Sequence, residues 1–194
     1  MTTPRTAFLA APALMGAYGL IRIADGLDGD HGPGVAWTAG HLCFLAGLAF
    51  FVQGFAAMRT MAGRNRLSTA GFWTATAGAV TLGGQFLIDI AVGFASADRA
   101  EMQELFARIQ DTPGMLPVFY DFGPLLFFVA QLVLAVQLAS RRILKPWAPV
   151  LMLAGTALPL VDKDLIPVTA VLLLISFAPL YRGRPSPRPE TASA

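Results

Sequence analysis

The feature that most constrains this chain is a series of six apolar segments separated by short polar links. They lie at about 6–24, 35–58, 69–95, 115–140, 147–161 and 165–181. A helix needs about 20 apolar residues to cross a hydrocarbon core of roughly 30 Å, which the first four segments provide and the last two approach. The sequence therefore predicts an all-α integral membrane protein with a bundle of six transmembrane helices.

The composition and the cysteine count agree with this fold class. Hydrophobic residues make up 55% of the chain and charged residues 13%, whereas a soluble domain has about 25% charged residues. Cys43 is the only cysteine, which excludes a disulfide or a cysteine-ligated metal site within one chain. We predict a single transmembrane domain over 1–181, a disordered tail over 182–194, and no metal or other cofactor.

The positions of the charges predict the orientation of the helices. Ten of the fourteen Lys and Arg residues lie before the first segment, in the second and fourth links, or in the tail. By the positive-inside rule both termini are then cytoplasmic, with the chain in the cell membrane and no role for nucleic acid. Arg22 stands where a signal peptide needs small residues, so we expect the first segment to be retained.

The third link differs from the others because it has helical periodicity. Its apolar residues follow the i, i+3, i+4, i+7 spacing of an amphipathic helix: Met102, Leu105, Phe106 and Ile109. The opposite face is acidic. We predict a short interfacial helix over about 98–111, between the third and fourth transmembrane helices.

Four ionisable residues are predicted at a similar depth within these helices. Asp89 lies in the third segment, and an acid at membrane depth is by default a functional-site hypothesis. With a rise of about 1.5 Å per residue, Arg22, His41 and Asp121 fall in the same outer third of the membrane. Because each is costly in lipid, each should turn inward, and we expect Asp89 to lie close to Arg22 or His41.

Two carboxylates in unequal environments can divide the roles of proton donor and charge stabiliser. We therefore predict Asp89 as the acid, Asp121 as the second carboxylate, and His41 and Arg22 as residues that tune them. The residues expected to shape a substrate pocket are Tyr18, Trp37, Gln85, Tyr120 and Phe122. Small membrane cyclases and isomerases of terpenoids and sterols have this general plan, although no family motif matches residue by residue.

The expected function is a membrane enzyme that acts on a lipid or isoprenoid by acid–base chemistry. One alternative is a non-catalytic membrane subunit or assembly factor, in which a fully paired Asp89 simply fastens helices together. Another is a small proton-coupled transporter, although we find no inverted repeat and no comparable ionisable residue in the inner half. In simpler interpretations Arg22 and Asp121 reach interfacial water, and the link at 162–164 is only solvated.

Overall fold

A computed structural model describes residues 3–27, 29 and 31–182. Residues 183–194 of the predicted tail lie outside this description, as do Asp28 and Asp30 of the first link. Within it the chain is helical and contains no strand. The helices are α1 (Pro4–Asp25), α2 (Val35–Met61), α3 (Arg66–Ala95), α4 (Arg99–Gln110), α5 (Phe122–Ser140), α6 (Trp147–Val161) and α7 (Ile166–Arg182).

Two short helical turns extend this set. A π-helical turn, Leu116–Asp121, runs into α5, and a 3₁₀ turn, Lys163–Leu165, runs into α7. In the described chain, five helical stretches are long and apolar enough to cross a membrane, and α6 is shorter, with 15 residues. These helices confirm the fold class of a helical membrane protein, and α4 confirms a helix in the third link.

The long helices pack with their neighbours running in opposite directions. In space they follow the order α6, α7, α1, α2, α3 and α5, with a smaller contact between α5 and α6 that closes the bundle. One end, here called the acidic end, holds the α1–α2 link, α4 and the α6–α7 link. The other, here called the basic end, holds the α2–α3 and α5–α6 links. Charge is therefore segregated between the two ends of the bundle.

Glycines set how closely these helices approach one another. On α2, Gly40, Gly47 and Gly54 recur every seven residues and all face α1. On α3, a Cβ at Gly78 would overlap the backbone nitrogen of Phe127 in α5. Small residues allow membrane helices to pack with their backbones close together. The resulting antiparallel α3–α5 pair places the start of α5 beside the last turns of α3.

Helices α6 and α7 form the tight antiparallel hairpin that their short link predicts. The Thr169 hydroxyl donates to the carbonyl of Gly155 at 2.7 Å, and the Ser176 hydroxyl donates to the carbonyl of Ala148 at 3.3 Å. Both hydroxyls are buried, and hydrogen bonds between helices stabilise such pairs in an apolar surrounding. The hairpin fixes α7 against α1 and so positions the α6–α7 link near Arg22.

The largest departure from the predicted helices is at the start of α5. We expected one regular helix from about residue 115, but its first turn is π-helical, with the Phe122 N–H bonded to the Pro117 carbonyl. Pro117 lies within this turn and Pro124 just after it, and neither has an N–H to donate to the preceding turn, which weakens regular helical bonding there. This turn changes which residues face α3, and it contains two residues of the predicted site, Tyr120 and Asp121.

Candidate functional site

The centre of the site is a buried pair formed by Asp89 of α3 and His41 of α2. The Oδ2 atom of Asp89 lies 3.5 Å from Nε2 of His41. Asp89 is 8% exposed and His41 is 4% exposed, so both side chains are largely buried. Among the described residues these two are the only buried side chains that ionise readily. His41 is thus one of the two partners that the sequence predicts for Asp89.

The second nitrogen of His41 determines what the pair can do. Nδ1 lies 2.6 Å from the backbone carbonyl of Trp37, which can only accept a hydrogen bond, so Nδ1 carries hydrogen. In the neutral ring Nε2 then presents a lone pair to Asp89. A favourable contact requires a proton between them, either on the carboxyl group or on the imidazole. The geometry therefore suits a pair in which Asp89 and His41 hold one proton between them.

Trp37 contacts both members of the pair. Its indole N–H donates to the main-chain carbonyl of Asp89 at 2.8 Å, and its ring centroid lies 4.3 Å from that of His41. The indole fits because residue 93, one turn after Asp89, is glycine. A Cβ at Gly93 would lie 2.6 Å from Cδ1 of Trp37. Gly93 therefore provides the space that lets Trp37 reach α3.

Aromatic rings form the walls around His41. The rings of Phe44 and Phe86 are stacked with centroids 4.1 Å apart, and the Phe86 ring lies 5.0 Å from that of His41. Tyr18 of α1 presents its ring to His41 edge-on, at 5.5 Å. Such rings exclude water and lower the local polarity, which strengthens electrostatic interactions within the pair. The site is thus shared by α1, α2 and α3.

Two other predicted residues approach Asp89 from α3 and from the π-helical turn. Gln85 is half-buried one helical turn before Asp89, on the same face of α3. The Tyr120 hydroxyl lies within reach of the Asp89 side chain and of Gln110 in α4, although neither contact has the geometry of a well-formed hydrogen bond. Single π-helical turns are often found at functional sites. Here the turn brings the Tyr120 phenol close to the Asp89 side chain.

Arg22 lies near the pair but has a different carboxylate partner. Its Nε atom is 3.3 Å from Oδ1 of Asp164, in the link that we interpreted as merely solvated. Together with Tyr18, Trp37 and His41, Arg22 lines a cavity of about 10 Å³. A volume of that size accommodates about one water molecule. Arg22 therefore neighbours His41 across a small gap rather than neutralising Asp89.

The expectation that Asp121 turns inward with these residues is wrong. Asp121 is exposed, and Phe122 beside it is 67% exposed. The π-helical turn is the physical reason, because its wider spacing directs Tyr120 towards α3 and leaves Asp121 outside. The structure thus gathers Asp89, His41, Trp37, Tyr18 and Tyr120, with Gln85 and Arg22 at the margin, and excludes the second carboxylate.

A larger groove that the sequence did not predict lies between the first turns of α2 and the last turns of α3. Its volume is about 600 Å³, and its lining is mainly apolar: Pro33, Gly34, Val35, Thr38, Ala39, Leu42, Gly93, Phe94, Ser96 and Ala97. Asp89 and His41 do not line it. Gly93 is both part of its wall and the contact point of Trp37, so the indole that contacts the pair also adjoins the groove wall. In the sequence, the feature that could have indicated this groove is the presence of small side chains near residues 38 and 96.

The described residues contain no group of three or more His, Cys, Asp or Glu side chains that could hold a metal ion. In comparisons with known proteins, the chain matches no family model, no curated protein and no solved structure. The features that bear on its function are therefore the buried pair, the groove, and Trp37, which contacts the pair and packs on Gly93 of the groove wall.

Proposed function

We propose that this chain is a membrane protein that binds a lipid or isoprenoid in the groove between α2 and α3. The observation that carries this proposal is the groove of about 600 Å³ whose wall, at Gly93, touches the tryptophan covering the Asp89–His41 pair. Ligand pockets are typically about 300–1,000 Å³, mainly apolar, with a few polar groups that orient the ligand. Thr38 and Ser96 are such groups here.

An elongated apolar ligand suits the position of the groove. Val35, Leu42 and Phe94 are among its lining residues and are more than half exposed, so an acyl or isoprenoid chain could enter sideways from the bilayer. The groove lies where α2 begins and α3 ends, close to the acidic end. A polar head group would then remain near the interface while the chain occupies the groove.

We extend this proposal to an enzyme in which Asp89 supplies the shared proton to a carbon–carbon double bond of the ligand. The resulting carbocation would return a proton to the pair, so that an isomerisation consumes no other reactant. Aromatic rings such as Phe86 and Tyr18 favour a cation beside them. Asp89 does not line the groove, so this chemistry requires the Trp37 indole, which contacts both Asp89 and the groove wall, to move aside.

A non-catalytic membrane subunit is the second candidate, and a specific observation favours it. The cavity beside His41 is only about 10 Å³, which leaves no room for a substrate next to the pair. In that case Asp89 and His41 fasten α2 to α3, and the groove binds a structural lipid. Proton-coupled transport has less support, because the pair is a single buried ionisable site among the described residues.

We also propose that α6 completes six membrane spans, with α4 at the interface and both termini in the cytoplasm of a cell-membrane protein. The hydrogen bonds from α7 to α6 support a paired span, and a short helix can be accommodated by local thinning of the bilayer. In α4 only Met102 is buried, and Phe106 packs near Trp37 with ring centroids 6.2 Å apart. This is the arrangement expected of an amphipathic helix lying over the bundle.

The test of lipid binding is mass spectrometry of lipids that co-purify with the full chain. Ala39→Trp fills the groove, and Ala56→Trp places the same side chain on the exposed face of the same helix as a matched control. We expect one apolar lipid class to be enriched with the wild type and Ala56→Trp, and lost with Ala39→Trp. Equal lipid content in all three proteins would refute the groove as a binding site.

The same measurement on Asp89→Asn separates the two candidates. In an enzyme, this variant keeps the lipid in the groove but shifts the bound species from product towards unconverted substrate, because the acid is missing. In a non-catalytic subunit, the bound species are the same as in the wild type. Binding and chemistry are thus read from different features of one spectrum.

A further inference from the structure

Five exposed cations come together at the basic end of the bundle. They are carried by the α2–α3 and α5–α6 links and are here called the basic surface: Arg64, Arg66, Arg141, Arg142 and Lys145. The two links are adjacent because α3 and α5 pack antiparallel, with Gly71 of α3 against Leu134 of α5. This surface lies at the opposite end of the bundle from the groove and the buried pair.

Arg141 spans the gap between the two links. A Cβ added at Gly63 would lie 3.1 Å from its Nη1 atom, so the guanidinium packs against the α2–α3 link. The next residue along that link is Arg64. The guanidinium of Arg141, from the α5–α6 link, is therefore placed beside the residue that directly precedes Arg64 in the α2–α3 link.

The backbone at both links is unusual in the same way. Arg64 has a φ of 51° and Arg142 a φ of 58°, in the left-handed region that residues other than glycine seldom adopt. Each follows the end of a long helix, a position at which glycine or asparagine is more common. Both turns thus carry an arginine where glycine or asparagine would be less strained. Backbone strain of this kind clusters at functional sites.

No described carboxylate lies on the basic surface. The described acidic residues of the links all belong to the acidic end, and Arg59, near the end of α2, is already engaged. Its Nε donates to the Thr69 hydroxyl at 3.1 Å, and its guanidinium lies 5.6 Å from the centre of the Phe72 ring. No described carboxylate therefore neutralises the charge of the basic surface, and its exposed cations are available to an anion.

We propose that the basic surface binds the phosphate of an anionic phospholipid, with Arg64 and Arg141 as the principal ligands. Guanidinium groups bind phosphate oxygens through paired, charge-assisted hydrogen bonds. Basic pockets between membrane helices are a known means of holding anionic head groups. Leu67 and Trp147, which are 58% and 45% exposed, flank the surface and offer apolar contact to the acyl chains. A lipid therefore fits better than a free phosphate ion.

Thermal unfolding of the purified full chain in detergent tests this site. Phosphatidylglycerol should raise the unfolding temperature of the wild type more than phosphatidylcholine does. The double variant Arg64→Gln/Arg141→Gln should lose that difference. The variant Arg99→Gln/Lys163→Gln removes the same amount of charge from the acidic end. It should keep the difference between the two lipids. Inorganic phosphate, added alone, should give little of the gain.

Three outcomes would overturn the proposal. The first is an equal gain from phosphatidylglycerol in both double variants, which would make the effect one of net charge. The second is a full gain from inorganic phosphate, which would exclude the lipid as the source of the phosphate. If the double variant fails to fold, Arg141→Lys is the alternative test, because lysine keeps the charge but lacks the fork-shaped donor set of arginine. It should retain fewer phosphatidylglycerol molecules than wild type in native mass spectrometry, and equal retention is the third overturning outcome.

Discussion

Trp37 and Asp89 are joined by a hydrogen bond of 2.8 Å from the indole N–H to the main-chain carbonyl. Through its own carbonyl, Trp37 also receives the Nδ1–H of His41, at 2.6 Å. One residue therefore positions α3 through its side chain and the imidazole through its backbone. The alignment of the acid with the histidine depends on this tryptophan as well as on the two partners.

Replacing Trp37 with phenylalanine removes the indole donor while leaving an aromatic ring near His41. We expect Trp37→Phe to lower the free energy of unfolding by about 1 kcal/mol, the usual contribution of one hydrogen bond. Denaturation in mixed micelles measures it. Trp73→Phe is the matched control because Trp73 is 61% exposed, and it should change stability by less than about 0.5 kcal/mol. Equal losses in the two variants would contradict the role given to the indole.

Adding a methyl group at Gly93 should displace Trp37. The new Cβ would lie 2.6 Å from Cδ1 of the indole, so we expect Gly93→Ala to destabilise the protein by about 1–3 kcal/mol. At Gly83, on the same helix, the nearest atom to a new Cβ is Cδ1 of Leu48 at 3.7 Å, an ordinary contact. Gly83→Ala should therefore be neutral or slightly stabilising.

The emission of Trp37 gives a second measure of the Gly93 substitution. In a background with Trp73→Phe and Trp147→Phe, Trp37 is the single tryptophan. Gly93→Ala should shift its emission, whereas Gly83→Ala should leave it unchanged. An unshifted spectrum with Gly93→Ala would show that the indole does not depend on the absence of a side chain at residue 93.

Asp89 and His41 should be energetically coupled. Asp89→Leu and His41→Phe each leave one buried polar partner unsatisfied, which we expect to cost about 1–3 kcal/mol. The double variant removes both partners, so its loss should be smaller than the sum of the single losses by about 1 kcal/mol or more. Urea or detergent denaturation of the four proteins provides the cycle. Additive losses would mean that the two side chains are not energetically coupled.

Cysteine labelling tests whether α6 crosses the membrane. In a Cys43→Ser background, Lys145→Cys and Lys163→Cys place single thiols at exposed positions on either side of α6. We expect a membrane-impermeant maleimide to label Lys163→Cys on intact cells, and Lys145→Cys only after the membrane is opened. Labelling of both from the same side would show that α6 does not span, and the opposite pattern would reverse the proposed orientation.

The helices show how much of this structure can be predicted from local sequence. Helix α3 begins at Arg66 rather than near residue 69 because the Asn65 side chain accepts a hydrogen bond from the N–H of Ser68 at 2.8 Å. Such a cap extends a helix slightly without changing its place in the bundle. Asp121 is different, because the π-helical turn before α5 turns its side chain away from α3. A prediction that assumes regular helical geometry cannot foresee that rotation.

The sequence by itself determined that the chain is a helical membrane protein, because apolar length and the segregation of charge act along the chain. It also singled out Asp89, since a carboxylate in an apolar helix is costly wherever the helix packs. Only the tertiary structure decided that His41, and not Arg22, lies beside Asp89. Tertiary structure also decided that Asp164 pairs with Arg22 and that Trp37 packs on Gly93, in the wall of a groove. Those choices depend on how closely glycines let particular helices approach, a property of pairs of helices rather than of one segment.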